Sequence, residues 1–323
     1  MSEAAKAPSL DEARALRVGE GDQGSTLAAL VRELYPGLSW NKARELVRTG
    51  RVSVAGELCF DAAQRPVAGQ RVEVDPAGRR RRAPPLPEDA LIHVDHEVVV
   101  VRKPAGLVTV PWDERDERDS LIERTRVALR EREGGRSGER DRLGIVQRLD
   151  KETTGLLVFA RTRKARKLLE AQFRVHTVHR RYVAIVHGEA EGGEHESALV
   201  PDRGDGLRGS WRGPKPPKFA KRALTRVRVE ERLQGATLVS CQLETGRQHQ
   251  IRIHLAEAGH PLVGEQVYDR GYRGARIPAD RTMLHAASLG FRHPSGERLL
   301  RFEDPMPDDF RAVLESLRHS RAR

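Results

Sequence analysis

The run Arg148-Leu149-Asp150-Lys151-Glu152-Thr153-Thr154-Gly155-Leu156-Leu157 sets an aspartate beside an arginine, directly ahead of a Thr-Thr-Gly turn and an apolar segment from Leu156 to Ala160. An apolar strand fixes its backbone, so the loop before it can present a carboxylate at a defined place, and loops held by a rigid scaffold often carry chemistry. An ionised carboxylate can attack an electrophile covalently or take a proton. Either use needs the charge at neutral pH; burial raises an aspartate pKa, whereas a close cation lowers it. The spacing alone names no reaction, and a surface turn with a local ion pair is the commoner role for such residues.

The whole chain narrows the field. Its 323 residues suffice for one large domain and a small one. With 38% hydrophobic and 33% charged residues it reads as a soluble protein, and its net charge of +11 favours a polyanionic partner, nucleic acid before an acidic membrane surface. No stretch is apolar for long enough to span a bilayer. Residues 1–24 lack the apolar block of a secretory signal and read as a flexible tail. Cys59 and Cys241 are far apart in sequence and make no disulfide framework, which suits a reducing cytoplasm.

A compact module is expected over 25–75. Leu27, Leu30, Val31 and Leu34 recur at helical spacing before the Pro36-Gly37 stop. Ser39 can cap a second helix with Ala43, Leu46 and Val47 inward and Gly50 at its end. Strands are expected at Arg51–Val54 and around Val72–Val74. Lys42, Arg44 and Arg48 form a basic set able to hold phosphate oxygens, though a solvated helix face is the ordinary outcome. Residues 76–88, rich in Pro and Arg and including Arg79-Arg80-Arg81-Arg82, read as a linker. From Asp89 to Arg323 strands alternate with helices: strands at Leu91–Val94 and Val98–Val101, a helix opened by a Ser120 to Glu123 capping box, a loop at Gly134–Gly138, and a helix over Arg163–Phe173. A strand follows at Arg181–Val186, then a Gly/Pro-rich basic insertion at Pro201–Pro217, expected to be mobile, and an antiparallel pair at Ala223–Val229 and Thr237–Leu243. This is the pattern of an α+β domain.

Five segments in order resemble the RluA-type pseudouridine synthases over roughly Asp89 to Leu317: Lys103-Pro104-Ala105-Gly106-Leu107; Arg148-Leu149-Asp150; Arg180 to Gly188 around Tyr182; Leu243 to Ala256, continuing through Gly259-His260-Pro261-Leu262-Val263-Gly264; and Leu284-His285-Ala286. Gln147 stands where the family usually has His, and Glu265 where it usually has Asp. Leu38 to Val54 with Gly69 to Val74 resembles the S-four RNA-binding domain, with Gly24-Ser25-Thr26-Leu27 in place of its usual Arg-Leu-Asp opening. The resemblance implies a mixed, mostly antiparallel central sheet with flanking helices and a central cleft, plus a small N-terminal α/β RNA-binding module.

It also implies the chemistry. Uracil leaves the ribose anomeric carbon, turns and reattaches through its carbon 5; no atom is gained or lost, so no redox cofactor is required. Asp150 is then the essential carboxylate, as nucleophile or as base, and Arg252 its paired cation; Arg252→Ala is expected to spare the fold and strongly reduce turnover. Tyr182 stacks on the base and its hydroxyl assists proton loss, although core packing is the usual fate of a strand tyrosine. Arg148 fills the space of an extruded nucleotide, whose unstacking costs a few kcal/mol. Lys103, Arg247 and His249 are weaker candidates for substrate or phosphate contact, and can equally support the loops.

No metal or nucleotide cofactor is expected. His249 and His254 are five apart and diverge on a helix, His176 and His179 lack Cys partners, and neither a Walker loop nor a dinucleotide glycine fingerprint is present. RNA is the expected partner, large-subunit ribosomal RNA first and transfer RNA next, with no obligatory protein partner. Two rivals are a non-catalytic RNA-binding ribosome-assembly factor and a hydrolase that releases free uracil. Tyr182→Phe keeps the ring and removes the oxygen. Retained RNA binding with lost tritium release from carbon 5 is the expected result; wild-type turnover would reduce the residue to stacking.

Overall fold

The computed structural model describes residues 12–22, 24–78, 84–111, 119–134, 142–296 and 298–319. Most of the expected tail, the run Arg79–Arg82 and most of the Gly134–Gly138 loop lie outside them. The chain divides into two compact units, one reaching Leu86 and including Val110–Glu133, the other comprising Pro87–Thr109 and Gly134 onward.

In the first unit β1 (Arg14–Arg17), β2 (Val52–Val54), β3 (Glu57–Leu58) and β4 (Arg71–Val74) form an antiparallel sheet in the order β1-β4-β2-β3. Helices α1 (Leu27–Leu34) and α2 (Trp40–Arg48) accompany it. Each helix starts on a side-chain cap: Thr26 Oγ1 accepts from the Ala29 nitrogen and Ser39 Oγ from that of Lys42. Leu27, Leu30 and Val31 meet Ala43, Leu46 and Val47 over Val52, Val72 and Val74 in one core. The tail expected up to residue 24 is therefore wrong from Arg14, where alternating burial lets Leu16 pack on this core.

Helix α3 (Leu121–Arg132) joins the first unit rather than the domain in which its sequence position suggested it would lie, through a hydrogen bond from the Leu86 nitrogen to the Arg124 carbonyl. Its expected capping box is absent: Ser120 is extended, but its hydroxyl makes no cap bond.

The second unit holds β5 (Leu91–Val94), β6 (Val98–Lys103), β7 (Gly144–Ile145), β8 (Thr154–Ala160), α4 (Arg163–Arg174), β9 (His179–His187), β10 (Gly193–Val200), β11 (Gly209–Ser210), β12 (Lys221–Arg232), β13 (Ala236–Leu243), α5 (Gln250–Glu257), β14 (Leu284–Arg292), β15 (Leu299–Glu303) and α6 (Asp308–His319). One sheet runs β11-β10-β12-β13-β9-β14-β8-β6-β5, with β15 on β14 and β7 on β8. Its pairs are antiparallel except β14 with β8. This is the mixed, mostly antiparallel α+β architecture expected above.

Strand β8 is buried along its whole length, as its continuous apolar run requires. Leu156, Val158 and Ala160 pack with Ala165 and Leu169 of α4, while Val183, Ile185 and Leu238 pack with Phe310 and Leu314 of α6. The insertion expected to be mobile is folded: β11 pairs with β10, and the Asp202 carboxylate accepts the Gly204 and Gly206 amides. Among the described residues no helix is long and apolar enough to cross a membrane.

Gly155, at the entry to β8, has φ +109°, and a Cβ there would lie 2.7 Å from the Ala286 nitrogen and nearer still to its carbonyl oxygen. Gly155→Ala is therefore expected to destabilise the protein by more than about 2 kcal/mol, read as a shifted urea midpoint. An unchanged midpoint would contradict this packing.

Candidate active site

The loop ahead of β8 is fixed carbonyl by carbonyl. The Leu149 oxygen accepts from Thr109 Oγ1 at 2.8 Å, and the same hydroxyl accepts the Leu149 nitrogen at 3.0 Å. The Asp150 oxygen takes the Thr153 amide at 3.1 Å, closing the turn. The Lys151 oxygen takes Lys103 Nζ at 2.6 Å, and the Glu152 oxygen takes Arg281 Nη1 at 3.3 Å. Arg281 is itself held by Asp309 of α6. Beyond the turn Thr154 Oγ1 lies 2.9 Å from His285 Nδ1. Such a loop has little freedom left to lose when it meets a ligand.

Lys103 is thus a support and not an RNA contact. It is fully buried, and its ammonium donates to the carbonyls of Pro104, Leu107 and Lys151. Burial lowers its pKa to about 7, against the pull of Glu152 and Asp150. Buried lysine needs such compensation, and sequence carries no sign of burial at a strand end.

The Asp150 side chain emerges into a cavity of about 640 Å³ whose walls include Arg148, Tyr182, Arg247, His249 and Arg252. Arg252, in the first turn of α5, points Nη1 at Asp150 Oδ2, 3.5 Å away. His249 Nε2 lies 3.8 Å from the other carboxylate oxygen. Both separations exceed hydrogen-bond length, so the carboxylate is neighboured by charge yet remains open to the cavity.

Arg252 has a second, tighter acid. Its Nε and Nη2 donate to Glu265 at 2.8 and 2.7 Å in a fork. The Glu265 side chain has no exposed surface and also accepts the amides of Gln266 and Val267. Burial opposes its charge, but the Arg252 and backbone hydrogen bonds outweigh that and hold its pKa below the ordinary 4.5. For Arg252, burial likewise works against the charge, and Glu265 and then Asp150 more than offset it, so its pKa is raised. The residue that departed from the family pattern is the one that aims the guanidinium.

His249 is not on the helix, as expected from its spacing to His254, but caps it in a left-handed conformation at φ 58°. Its Nδ1 lies 2.8 Å from Tyr268 Oη. Burial pushes Tyr268 up to about 12, so the phenol keeps its proton, and burial also lowers His249. If the phenol donates to Nδ1, the remaining imidazole proton faces Asp150.

Tyr182 on β9 is 7% exposed and lines the cavity; burial raises its pKa, so it stays protonated at neutral pH. Arg148 and Arg247 are exposed on the rim, Arg247 tied by Nε to the Arg222 carbonyl. Lys42, Arg44 and Arg48 belong to α2 in the first unit; Lys42 is paired with Glu45, and Arg44 lies over the Trp40 ring. Arg180, Thr109 and Arg281 were not expected from the sequence. Arg180 lines the cavity 7% exposed, donates to the Leu243 and Glu244 carbonyls, and among the described residues has no carboxylate partner. A buried guanidinium left without an anion can receive one from a ligand phosphate. Among the described residues no group of three or more His, Cys, Asp or Glu side chains could hold a metal.

This sheet and cleft have known counterparts. Residues 97–257 match the RNA pseudouridylate synthase family. The ribosomal large subunit pseudouridine synthase D of Xylella fastidiosa (strain Temecula1) is 33% identical, the alignment covering 96% of this chain and 94% of that protein. Its namesake in Zymomonas mobilis is also 33% identical, over 91% and 94%. The chain belongs to the RNA pseudouridine synthases, isomerases that act on uridine in RNA. The human RNA pseudouridylate synthase domain containing 4 structure shares the fold, with a TM-score of 0.57 at 22% identity over 71% of this chain and 93% of that one.

The ion pair adds a stability cost to Arg252→Ala, because the substitution strands the buried Glu265 carboxylate. A loss of about 3–5 kcal/mol is expected at neutral pH. Because the wild-type Glu265 pKa is depressed, its contribution is complete above 4.5 and fades as pH falls through its lower folded value. In the variant the stranded carboxylate instead gains by protonation, so the deficit in Tm should shrink on acidification. A deficit independent of pH would contradict the pairing.

Proposed function

We propose that this protein converts a uridine of large-subunit ribosomal RNA into pseudouridine, with Asp150 acting at the anomeric carbon. The open Asp150 carboxylate facing the Glu265-fixed guanidinium of Arg252 carries this reading. The substrate class is supported by relatives named for the large ribosomal subunit.

The bond from the anomeric carbon to N1 of uracil breaks, the base rotates, and the bond to carbon 5 forms. The proton lost from carbon 5 is balanced by one gained at N1. Asp150 as nucleophile or as base needs its charge, which Arg252 favours without occupying both oxygens. Tyr182 stacks on the base and, entering protonated, suits relay of a proton better than service as a ready-made phenolate. Arg148 takes the place of the extruded nucleotide, a role fitting a group that stacks and binds phosphate at once. Arg247 and His249 contact the flanking substrate, and Arg180 a phosphate.

The first unit serves as an RNA anchor. Besides Lys42, Arg44 and Arg48 it exposes Trp40, with the Arg32 guanidinium 4.3 Å from its ring centroid. Aromatic and cationic groups together suit RNA. The net charge of +11 implies binding that weakens steeply with salt. A ribosomal RNA substrate implies a cytoplasmic protein.

Mapping pseudouridines in cellular RNA with and without the gene tests this. A large-subunit site lost in the deletion, restored by wild type and not by Asp150→Ala, is expected. A lost site in transfer RNA alone would overturn the substrate class, and free uracil would overturn the reaction.

A further inference from the structure

Tyr268 contacts both groups that flank the Asp150 carboxylate. It is 8% exposed and shares a small core with Leu199 of β10, Ala223 of β12 and Ile253 of α5. Its amide donates to the Glu265 carboxylate at 3.4 Å, and the Arg252 guanidinium lies over its ring, 5.3 Å from the centroid. Its hydroxyl lies 2.8 Å from His249 Nδ1, with the two rings edge to face at 5.6 Å. Among the described residues that nitrogen is the hydroxyl's one hydrogen-bond partner.

The backbone holds the imidazole from the other side. His249 sits at φ 58° and ψ 17°, and its carbonyl accepts the Ile253 amide at 2.9 Å as α5 begins. A left-handed backbone is strained for a residue with a Cβ and persists where its surroundings over-determine it. Nε2 is thereby set 3.8 Å from Asp150 Oδ1, across the carboxylate from Arg252 Nη1, which is 3.5 Å from Oδ2.

Three forms of the ring can stand there. An imidazolium would bring a second full cation to the carboxylate and tie up its free oxygen in an ion pair. A neutral ring protonated on Nδ1 would turn the Nε2 lone pair toward a negative charge. A neutral ring protonated on Nε2 turns the positive end of a dipole to Asp150 without binding it. Burial, with Arg252 of α5 and Arg208 ahead of β11, opposes the imidazolium more than Asp150 and Glu265 favour it, so His249 lies below its ordinary 6.5. Tyr268, pushed up to about 12 chiefly by burial, keeps its proton. A donor at Nδ1 requires a lone pair there and leaves the ring proton on Nε2.

We propose that Tyr268 is a positioning residue for the reaction: its hydroxyl donates to His249 Nδ1 and so holds the imidazole neutral, with Nε2–H turned toward Asp150. This rests on the reading of Asp150 as the carboxylate that acts on uridine. The dipole supports the charge on Oδ1 and leaves that oxygen free for substrate, as Arg252 Nη1 does for Oδ2. One buried ring serves both flanks: its face bears the guanidinium and its hydroxyl sets the histidine.

The test uses the full chain at neutral pH. Long-range proton–nitrogen NMR of protein carrying isotope-labelled histidine reads the tautomer, His249 being assigned as the ring missing from His249→Gln. Wild type should show a neutral His249 with Nδ1 unprotonated and Nε2 protonated. Tyr268→Phe keeps the ring, loses the donor and should mix the two tautomers. Its kcat for tritium release from carbon-5-labelled large-subunit ribosomal RNA transcript should fall about five- to tenfold with KM within about twofold, the scale of one oriented hydrogen bond. The amide of His249→Gln neither tautomerises nor takes a charge, so adding Tyr268→Phe to it should cost less than about twofold. A wild-type ring that is charged or protonated on Nδ1 would overturn the proposal, as would an unchanged tautomer or kcat in Tyr268→Phe. An equal loss in the His249→Gln background would also overturn it and place the effect on Arg252. Absence of tritium release by wild type would strike at the enzyme reading itself, whereas the tautomer is read without turnover.

Discussion

The Glu265 side chain has no surface in contact with water, and the guanidinium of Arg252 is its partner. The usefulness of Asp150 depends on that pair. A lone arginine on a helix samples many rotamers, and its charge reaches a neighbouring carboxylate only part of the time. Two parallel hydrogen bonds to Glu265 occupy Nε and Nη2 and leave Nη1 aimed at Asp150. Lysine could not reproduce this, because an ammonium has no planar fork to share between two acids. A buried pair of this kind adds little net stability over well-packed apolar residues. Its value lies in the fixed direction of a charge, which is what a carboxylate working in a partly closed cavity requires.

The loop bearing Asp150 is the complementary half of the device. Lys103 and Thr109, at the end of β6 and in the loop after it, and Arg281, ahead of β14, bind the carbonyls of Lys151, Leu149 and Glu152, so the backbone cannot follow the carboxylate toward a new partner. Gly155 then lets the chain pass against Ala286 into a strand buried on both faces. Rigid support and an open side chain are separate properties here: the main chain is tied, while the acid itself makes only long charge contacts. Preorganisation of this sort is where electrostatic effects on a developing transition state gain their strength.

The sequence carried β2, β4, β5, β6, β8 and β9, both capped helices of the first unit and the antiparallel pairing of β12 with β13, because alternation and helical spacing are local signals. Asp150, Tyr182 and Arg252 came together through ordered resemblance; nothing in their spacing would have joined a loop, a strand and a helix start. Lys103 stayed open between substrate contact and loop support because a lysine shows its charge in sequence but not its burial. Glu265 looked like a departure, yet one additional methylene still lets its carboxylate fork onto Arg252. Thr109 and Arg281 gave no signal, since both act through carbonyls far along the chain. Ser120 had the letters of a capping box without the geometry, and Arg14–Arg17 is too short a strand to declare itself before its partner is known.

The most direct measurement is the single-turnover rate of Arg252→Met/Glu265→Met, which removes the buried pair whole and leaves no stranded acid. Near-wild-type Tm with a rate lower by about 10²–10³-fold is the predicted result, the scale of losing one preorganised electrostatic partner. A rate within a few-fold of wild type at unchanged Tm would show that Asp150 works without its aimed cation, and would contradict the account at its centre.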